Sequence, residues 1–187
     1  MTSLAEDIAR YEPFNEQEAA DRIFFLSFLE KEKDAFLRSN LAAHVTVSAW
    51  VVNGNRDKVL MVYHKIYDSW SWMGGHADGC EDLLSVAIRE CREESGVCAR
   101  PLSNDIFSLE ILTVDGHEKK GRYVSSHLHC NVTYLLEADE NAPLTVCEEE
   151  NKGVRWFSLE EAVLASSEPW FRERIYSKLN AKLSQFP

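Results

Sequence analysis

Hydrophobic residues in the middle of the chain follow the spacing of β-strands. Residues 44–52 are rich in valine and predict a strand, and a turn at 53–55 leads to a returning strand over 58–63. Similar patterns predict strands over 106–114, 125–136 and 154–157. The polar segment 115–121 is predicted to be only a connecting loop between two of these strands.

A helix is predicted between the second and third strands. Its apolar residues recur at the spacing of a single helical stripe, at Leu84, Ala87, Ile88 and Cys91. Glu81 and Asp82 are predicted to lie in its first turn, where the helix dipole favours anions. Gly96 suits a left-handed C-terminal cap. The helix is therefore expected over about 82–95.

The two ends of the chain are also predicted to be helical. Residues 1–40 contain a long helical segment from about residue 15, and two further helices are expected over 159–165 and 169–184. The centre of the first segment, 23–29, is apolar on more than one face. Packing inside the same chain is the favoured explanation, and contact with a second subunit or a lid over a binding site are the alternatives.

This order of elements predicts an α/β protein with a mixed β-sheet between layers of helices. The length suits one domain with an additional segment at one end. We expect residues 1–40 to form a helical N-terminal extension and residues 41–187 to form the domain.

Three glutamates on the central helix are candidates for metal binding. Glu90, Glu93 and Glu94 have the spacing i, i+3, i+4 and share one helical face. Their mutual repulsion costs about 0.2–0.5 kcal/mol per pair on an exposed helix, and a divalent cation would reverse that cost. A solvated acidic face is the alternative. The preceding Gly74-Gly75 pair favours metal binding, because glycine lets the backbone approach a ligand closely.

These residues belong to a longer run with fixed spacing. From Gly75 to Val97 the sequence reads G-x5-E-x7-R-E-U-x-E-E-x-G-U, where U is an apolar residue. The run resembles the signature of the Nudix hydrolases. The resemblance implies an α/β/α sandwich over about residues 43–165. It also implies hydrolysis, dependent on Mg²⁺ or Mn²⁺, of the diphosphate bond in a nucleoside diphosphate linked to another moiety, which gives a nucleoside monophosphate and phosphorylated X.

The resemblance also implies roles for individual residues. The metal ligands would be Glu90, Glu93, Glu94 and the carbonyl of Gly75, and Arg89 would pair with Glu81 to hold loop and helix in register. Nudix enzymes often carry one more acidic residue on a late loop, for which Glu150 is the favoured candidate and Glu149 the next. Glu93 or Glu150 would accept the proton of the attacking water. The alternative for the late residues is a solvated acidic turn.

Several residues are candidates for contacts with a substrate. His127 and His129 alternate along a predicted strand and should point to one face. Trp70 and Trp72, with Tyr67, are candidates for stacking on a nucleobase. A phosphate clamp is expected among four cations, which are Lys65, Lys119, Lys120 and Arg122. Each has an ordinary structural alternative, namely a polar sheet face, core packing or a solvated surface.

Composition restricts the partners. The net charge of −11 argues against a nucleic-acid polymer. The sequence shows no membrane-length apolar stretch and no signal-peptide pattern, so a cytoplasmic protein with a small-molecule substrate and no membrane partner is expected. Five cysteines without a C-x2-C pair argue against structural zinc and a disulfide framework. A homodimer through the N-terminal segment stays a hypothesis.

Two other functions fit parts of the pattern. An enzyme like isopentenyl-diphosphate isomerase has a similar fold, but the intact Gly75 and Glu81 argue against it. A non-catalytic Nudix binding module is the second alternative, and the three retained glutamates argue against it. The sequence leaves the substrate, the number of metal ions and the identity of the general base open.

Overall fold

The computed structural model describes residues 4–119 and 121–187 of the chain. Five α-helices in the described residues are α1 (Leu4–Arg10), α2 (Glu16–Lys31), α3 (Leu83–Ser95), α4 (Leu159–Ala165) and α5 (Ser177–Leu183). The strands of the same residues are β1 (Ala43–Val52), β2 (Lys58–His64), β3 (Ser69–Ser71), β4 (Met73–His76), β5 (Arg100–Pro101), β6 (Ser108–Val114), β7 (His117–Lys119), β8 (Arg122–Val124), β9 (His127–Glu137) and β10 (Asn151–Ser158).

Eight of the described strands form one sheet. Its central order is β10-β2-β1-β9-β5, while β3 pairs with β2, β4 with β1 and β6 with β9. The pair of β1 and β9 is parallel and the other pairs are antiparallel. The predicted α/β fold with a mixed sheet and flanking helices is confirmed.

The glycine-rich segment before the central helix forms a strand that was not among the strands predicted from the sequence. Met73–His76 pairs antiparallel with β1, and the paired residues run from Ala49 and Met73 to Thr46 and His76. Pairing with a central strand satisfies the backbone groups of this segment. The same pairing fixes its position against α3.

Helix α3 begins one residue later than predicted. The side chain of Asp82 caps it by accepting a hydrogen bond from the backbone N–H of Ser85 at 3.2 Å, so Glu81 and Asp82 precede the first turn. Gly96 ends the helix with a φ of 79°, which is the predicted left-handed cap. Cys91 is fully buried on the predicted apolar stripe.

Two further segments differ from the predictions. The connection 115–121 is not a plain loop, since His117–Lys119 pairs with Arg122–Val124 in a small separate hairpin. The C-terminal helix starts with a π-helical segment, Phe171–Tyr176, before α5. There the backbone N–H and hydroxyl of Ser177 both donate to the carbonyl oxygen of Arg172, five residues earlier, which favours the wider turn.

Helices cover both faces of the sheet. On one face Phe25 and Phe28 of α2 join the core cluster that contains strand residues and α3. On the other face Trp50 of β1 stacks on Tyr176 at a ring distance of 5.4 Å. Packing of residues 23–29 within the chain is thus confirmed for two phenylalanines, whereas Ile23 is 72% exposed. None of the described helices has the length and apolar character needed to cross a membrane.

Candidate functional site

A cavity of about 780 Å³ brings together most of the predicted site residues. Its walls come from β1, β4, α3, β9 and the loop before β10. The predicted residues that line it are Tyr67, Trp72, Gly75, Glu90, Glu93, Glu94, His127, His129, Glu149 and Glu150. The glutamate face of α3 is therefore a wall of a concave site and not an open solvated surface.

Glu94 is the buried member of the glutamate group, with only 4% of its surface exposed. Its carboxylate accepts hydrogen bonds from the backbone N–H of Gly74 at 2.8 Å and from the side-chain amide of Asn151 at 3.0 Å. Burial raises the pKa of Glu94 to about 8, the two hydrogen bonds oppose that rise, and the charges of Glu90 and Glu150 add to it. A cation beside this carboxylate would stabilise its charged form.

Glu90 lies directly against the backbone of β4. A methyl group at Gly75 would lie 2.5 Å from the carboxyl carbon of Glu90, so glycine is required for this contact. The Arg89 guanidinium donates to Glu90 at 2.9 Å and lies 3.7 Å from Glu93. The predicted ion pair of Arg89 with Glu81 is not present among the described residues. Arg89 instead pairs with Glu90 within α3.

The remaining acidic candidates are exposed. The Glu93 side chain is 60% exposed and lines the cavity beside Glu90 and Glu94. The loop that carries Glu150 is held to the end of β2, because the backbone N–H of Lys65 donates to the carbonyl oxygen of Glu150 at 2.9 Å and the Lys65 ammonium donates to the carbonyl oxygen of Glu148. These two hydrogen bonds hold the loop 148–150 beside the cavity, which Glu149 and Glu150 line.

The donor set fits a hard divalent ion. Carboxylates of Glu90, Glu93 and Glu94 line one cavity with the glycine backbone of β4, and oxygen ligands of this kind suit Mg²⁺ or Mn²⁺. The buried Glu94, with its raised pKa, is a group whose charge a bound cation would compensate.

Among the candidates for contacts with a substrate, Tyr67, Trp72, His127 and His129 lie in the cavity wall. His127 lines it from β9, and Trp72 lines it while packing edge to face on Phe171 and Tyr176. With only 8% of its surface exposed, Trp72 has little free ring surface for stacking on a nucleobase.

The structure places Trp70 and Arg122 outside the cavity wall. Trp70 packs edge to face on Tyr63 and Phe157, in the cluster on one face of the sheet, and does not line the cavity. Arg122 is exposed in the small hairpin and is also absent from the lining. Lys120, named with it as a possible phosphate clamp, lies outside the described residues.

Sequence reasoning missed His44, His76 and Asn151. All three belong to strands next to the site, and their proximity to it depends on strand pairing. Asn151 pairs with His64 across β10 and β2, and His76 pairs with Thr46 across β4 and β1. Their identity as polar residues at strand ends was the only signal in the sequence.

Two relatives by sequence have names that concern phosphoanhydride hydrolysis. The chain is 27% identical over 104 residues to a probable DHNTP pyrophosphohydrolase of Lactococcus lactis subsp. cremoris (strain MG1363), covering 56% of this chain and 61% of that one. It is 32% identical over 95 residues to the asymmetrical bis(5'-nucleosyl)-tetraphosphatase of Mus musculus, covering 50% and 58%. The chain thus spans less than two thirds of the length of these relatives.

A solved structure shows the same fold. A hydrolase of the NUDIX family from Clostridium perfringens superposes with a TM-score of 0.53 at 22% identity, over 76% of this chain and 97% of that one. The family model for the NUDIX domain matches residues 42–179. Because this match covers well over half of the chain and includes the whole glutamate helix, the protein belongs to the Nudix family.

Proposed function

We propose that the protein hydrolyses a diphosphate bond in a nucleoside diphosphate linked to another moiety, with Mg²⁺ or Mn²⁺ as cofactor. The observation that carries the proposal is that Glu90, Glu93 and Glu94 line one cavity with Gly74 and Gly75, where Glu90 lies against Gly75 and Glu94 accepts a hydrogen bond from the Gly74 N–H. The cavity volume of about 780 Å³ lies in the usual range for small-molecule sites, which is roughly 300–1,000 Å³.

The protein's own groups have separable tasks in this reaction. Glu90, Glu93, Glu94 and the carbonyl of Gly75 would hold the metal, which when bound neutralises phosphate charge and lowers the pKa of water. Gly74 and Asn151 orient the Glu94 carboxylate through their hydrogen bonds.

Two residues support the geometry and the proton transfer. Arg89 orients Glu90 and acts as a positioning residue. Glu150 or Glu93 accepts the proton of the attacking water, since both reach the cavity and are not enclosed by protein. His127 and Trp72 also line the cavity, and we assign them to contacts with the substrate.

The names of the relatives suggest two classes of substrate to include in the test. One name refers to a pyrophosphohydrolase of DHNTP and the other to a bis(5'-nucleosyl)-tetraphosphatase. Both concern chains of phosphates attached to a ring system. The panel contains dihydroneopterin triphosphate and dinucleoside polyphosphates for this reason. It also contains nucleoside triphosphates, ADP-ribose, nucleotide sugars and NADH, which are other compounds with a diphosphate bond.

The test is phosphate release in Mg²⁺ with a coupled phosphatase. Glu93→Gln and Glu94→Gln should each lower kcat by at least about 100-fold on the substrate that is turned over. Glu160→Gln, an exposed glutamate on α4, is the control and should keep full activity. Near-normal turnover by both α3 variants would contradict the assignment. Silence of the folded wild-type protein across the panel would favour the isomerase-like enzyme or the binding module.

A further inference from the structure

The same cavity contains a group of histidines that the proposed hydrolysis leaves without a metal-binding role. His44 of β1 pairs with His129 of the parallel strand β9, and His127 lies two residues before His129. Side chains at this spacing point to the same face of a sheet. The three imidazoles come from two adjacent strands and meet at the end where both strands begin.

The distances within this group fit a shared ion. One ring nitrogen of each of the three histidines lies within 4.8 Å of the others. The Nε2 atoms of His127 and His129 are 3.1 Å apart. Two imidazole ligands of a tetrahedral zinc ion, each at about 2.0–2.1 Å from the metal, have their nitrogens roughly 3.3 Å apart. Little movement is needed to place an ion between them.

Backbone carbonyls determine which nitrogen carries the proton in two of the rings. Nδ1 of His127 lies 2.8 Å from the carbonyl oxygen of Ser125, and Nδ1 of His44 lies 3.1 Å from that of Asn40. A carbonyl oxygen only accepts, so in each neutral ring Nδ1 is the donor and Nε2 holds a free lone pair. Metal-binding histidines commonly have this arrangement, in which the outer nitrogen donates to a carbonyl.

His44 supplies an independent observation. Only 5% of its surface is exposed, and its Nε2 atom is buried with no hydrogen-bond partner among the described residues. Buried polar atoms are nearly always paired, so an unpaired lone pair beside two other imidazoles points to a ligand. The hydrogen bond between His127 and His129 does not involve the Nε2 atom of His44. A cation bound among the three rings would give that atom a partner.

We propose that His44, His127 and His129 bind a divalent transition-metal ion, Zn²⁺ in the first instance, with the fourth position open to the cavity for water or an anionic oxygen of a ligand. Imidazole nitrogen suits zinc, whereas the carboxylates of α3 suit Mg²⁺. The chain would thus hold two chemically different metal sites in one cavity. This inference concerns residues outside the glutamate helix and does not depend on the proposed hydrolysis.

The test is titration of the metal-stripped, full-length protein with Zn²⁺ by calorimetry, in excess Mg²⁺ so that the carboxylate site is saturated. One Zn²⁺ per chain is expected. His127→Ala and His129→Ala should each weaken binding by at least about 100-fold, because even the outer partners of metal ligands change affinity by 10–100-fold. His117→Ala removes another histidine of the same cavity, outside the cluster, and should leave the affinity unchanged.

A second measurement needs no substitution. X-ray absorption on the zinc-loaded wild-type protein should show three nitrogen ligands at about 2.0–2.1 Å.

Glu94→Gln should lose hydrolysis and keep zinc binding, so the two proposals fail independently. The zinc site would be refuted by the absence of saturable binding. It would also be refuted if Glu94→Gln loses zinc binding while His127→Ala and His129→Ala retain it, since the ion would then lie in the carboxylate site.

Discussion

At the scale of single residues, the site depends on how one buried carboxylate is held. Glu94 is kept in place by the backbone N–H of Gly74 in β4 and by the side-chain amide of Asn151 in β10. Only the first partner lies near the signature run in sequence. Asn151 is 57 residues away from Glu94, and its role follows from the pairing of β10 with β2.

Replacing Asn151 with leucine should weaken the metal site. The change keeps the approximate volume but removes the amide that donates to Glu94. We expect the Mg²⁺ concentration for half-maximal activity to rise by about 10–100-fold. Asn180→Leu is the control, because Asn180 also donates one amide hydrogen bond, to the carbonyl oxygen of Leu159, but lies outside the cavity. An equal rise in both variants would assign the effect to general destabilisation.

Replacing Gly75 with alanine should displace Glu90. The new methyl group would lie 2.5 Å from the Glu90 carboxyl carbon, and that side chain must move to make room. Misplacement by about 1 Å costs on the order of 100-fold in rate, so kcat should fall by about that factor while the fold is kept. Gly54→Ala meets no atom within 4 Å and should be as active as wild type. Unchanged kcat in Gly75→Ala would show that the Glu90 position is not critical.

At the scale of elements, the pattern of apolar residues predicted the type of most strands and helices but not their edges. Helix α3 agrees with its prediction because its apolar stripe, its N-cap and its glycine cap all lie within the segment itself. Strand β4 was missed because its identity depends on pairing with β1, which lies some 25 residues earlier. The short hairpin of β7 and β8 was missed for a similar reason, since its few polar residues have no apolar alternation.

The end of α3 offers a test at this scale. Gly96 has a φ of 79°, and an added methyl group would lie 2.9 Å from the Thr145 hydroxyl. Gly96→Ala should lower the free energy of unfolding by about 1–2 kcal/mol through the left-handed conformation, with an additional cost from the contact. Gly121→Ala has a similar φ of 73° but meets no atom within 4 Å. In urea denaturation Gly96→Ala should therefore be the less stable variant, and equal stabilities would exclude a contribution from Thr145.

At the scale of the whole molecule, buried charges join the two ends of the chain. Glu18 of α2 is fully buried, and its carboxylate lies 3.1 Å from the ammonium groups of both Lys178 and Lys182 of α5. Lys178 also pairs with Glu110 of β6 at 2.9 Å. The boundary between an N-terminal extension and the domain at residue 40 stays a prediction. We propose that these ion pairs make residues 4–31 unfold together with the sheet.

Removing Glu18 tests that proposal. Glu18→Gln removes the carboxylate that pairs with Lys182 and leaves Lys178 with Glu110 alone, so it should lower the free energy of unfolding by about 3–5 kcal/mol. Glu16→Gln on the same helix is the control, because the Glu16 side chain is 82% exposed and its pair with Arg174 is worth at most about 1 kcal/mol. A single cooperative transition in urea is expected for wild type. A separate early transition of the N-terminal helices would contradict the proposal.

The same group predicts a pH dependence. Burial alone would raise the pKa of Glu18, but attraction to Lys178 and Lys182, together with hydrogen bonds from Tyr11 and the Phe14 N–H, lowers the pKa to about 2. A carboxyl whose pKa is lower in the folded protein adds stability above its ordinary pKa of about 4.5, and this contribution is lost as the pH falls towards about 2. Wild-type stability should therefore decline through that range more steeply than that of Glu18→Gln, as measured by urea denaturation at each pH.

The family pattern, the fold class and the position of the glutamate helix could be predicted from the amino-acid sequence, because these depend on residues within a few turns of one another. Three-dimensional contacts were needed to show that Glu94 is buried against Asn151, that Arg89 pairs with Glu90 and that Trp70 lies outside the cavity. They were also needed to show that His44 meets His127 and His129. Arg89 and Glu90 are neighbours within α3, whereas the other placements bring together segments far apart in the chain. Sheet register, which local spacing does not specify, sets which of those side chains meet.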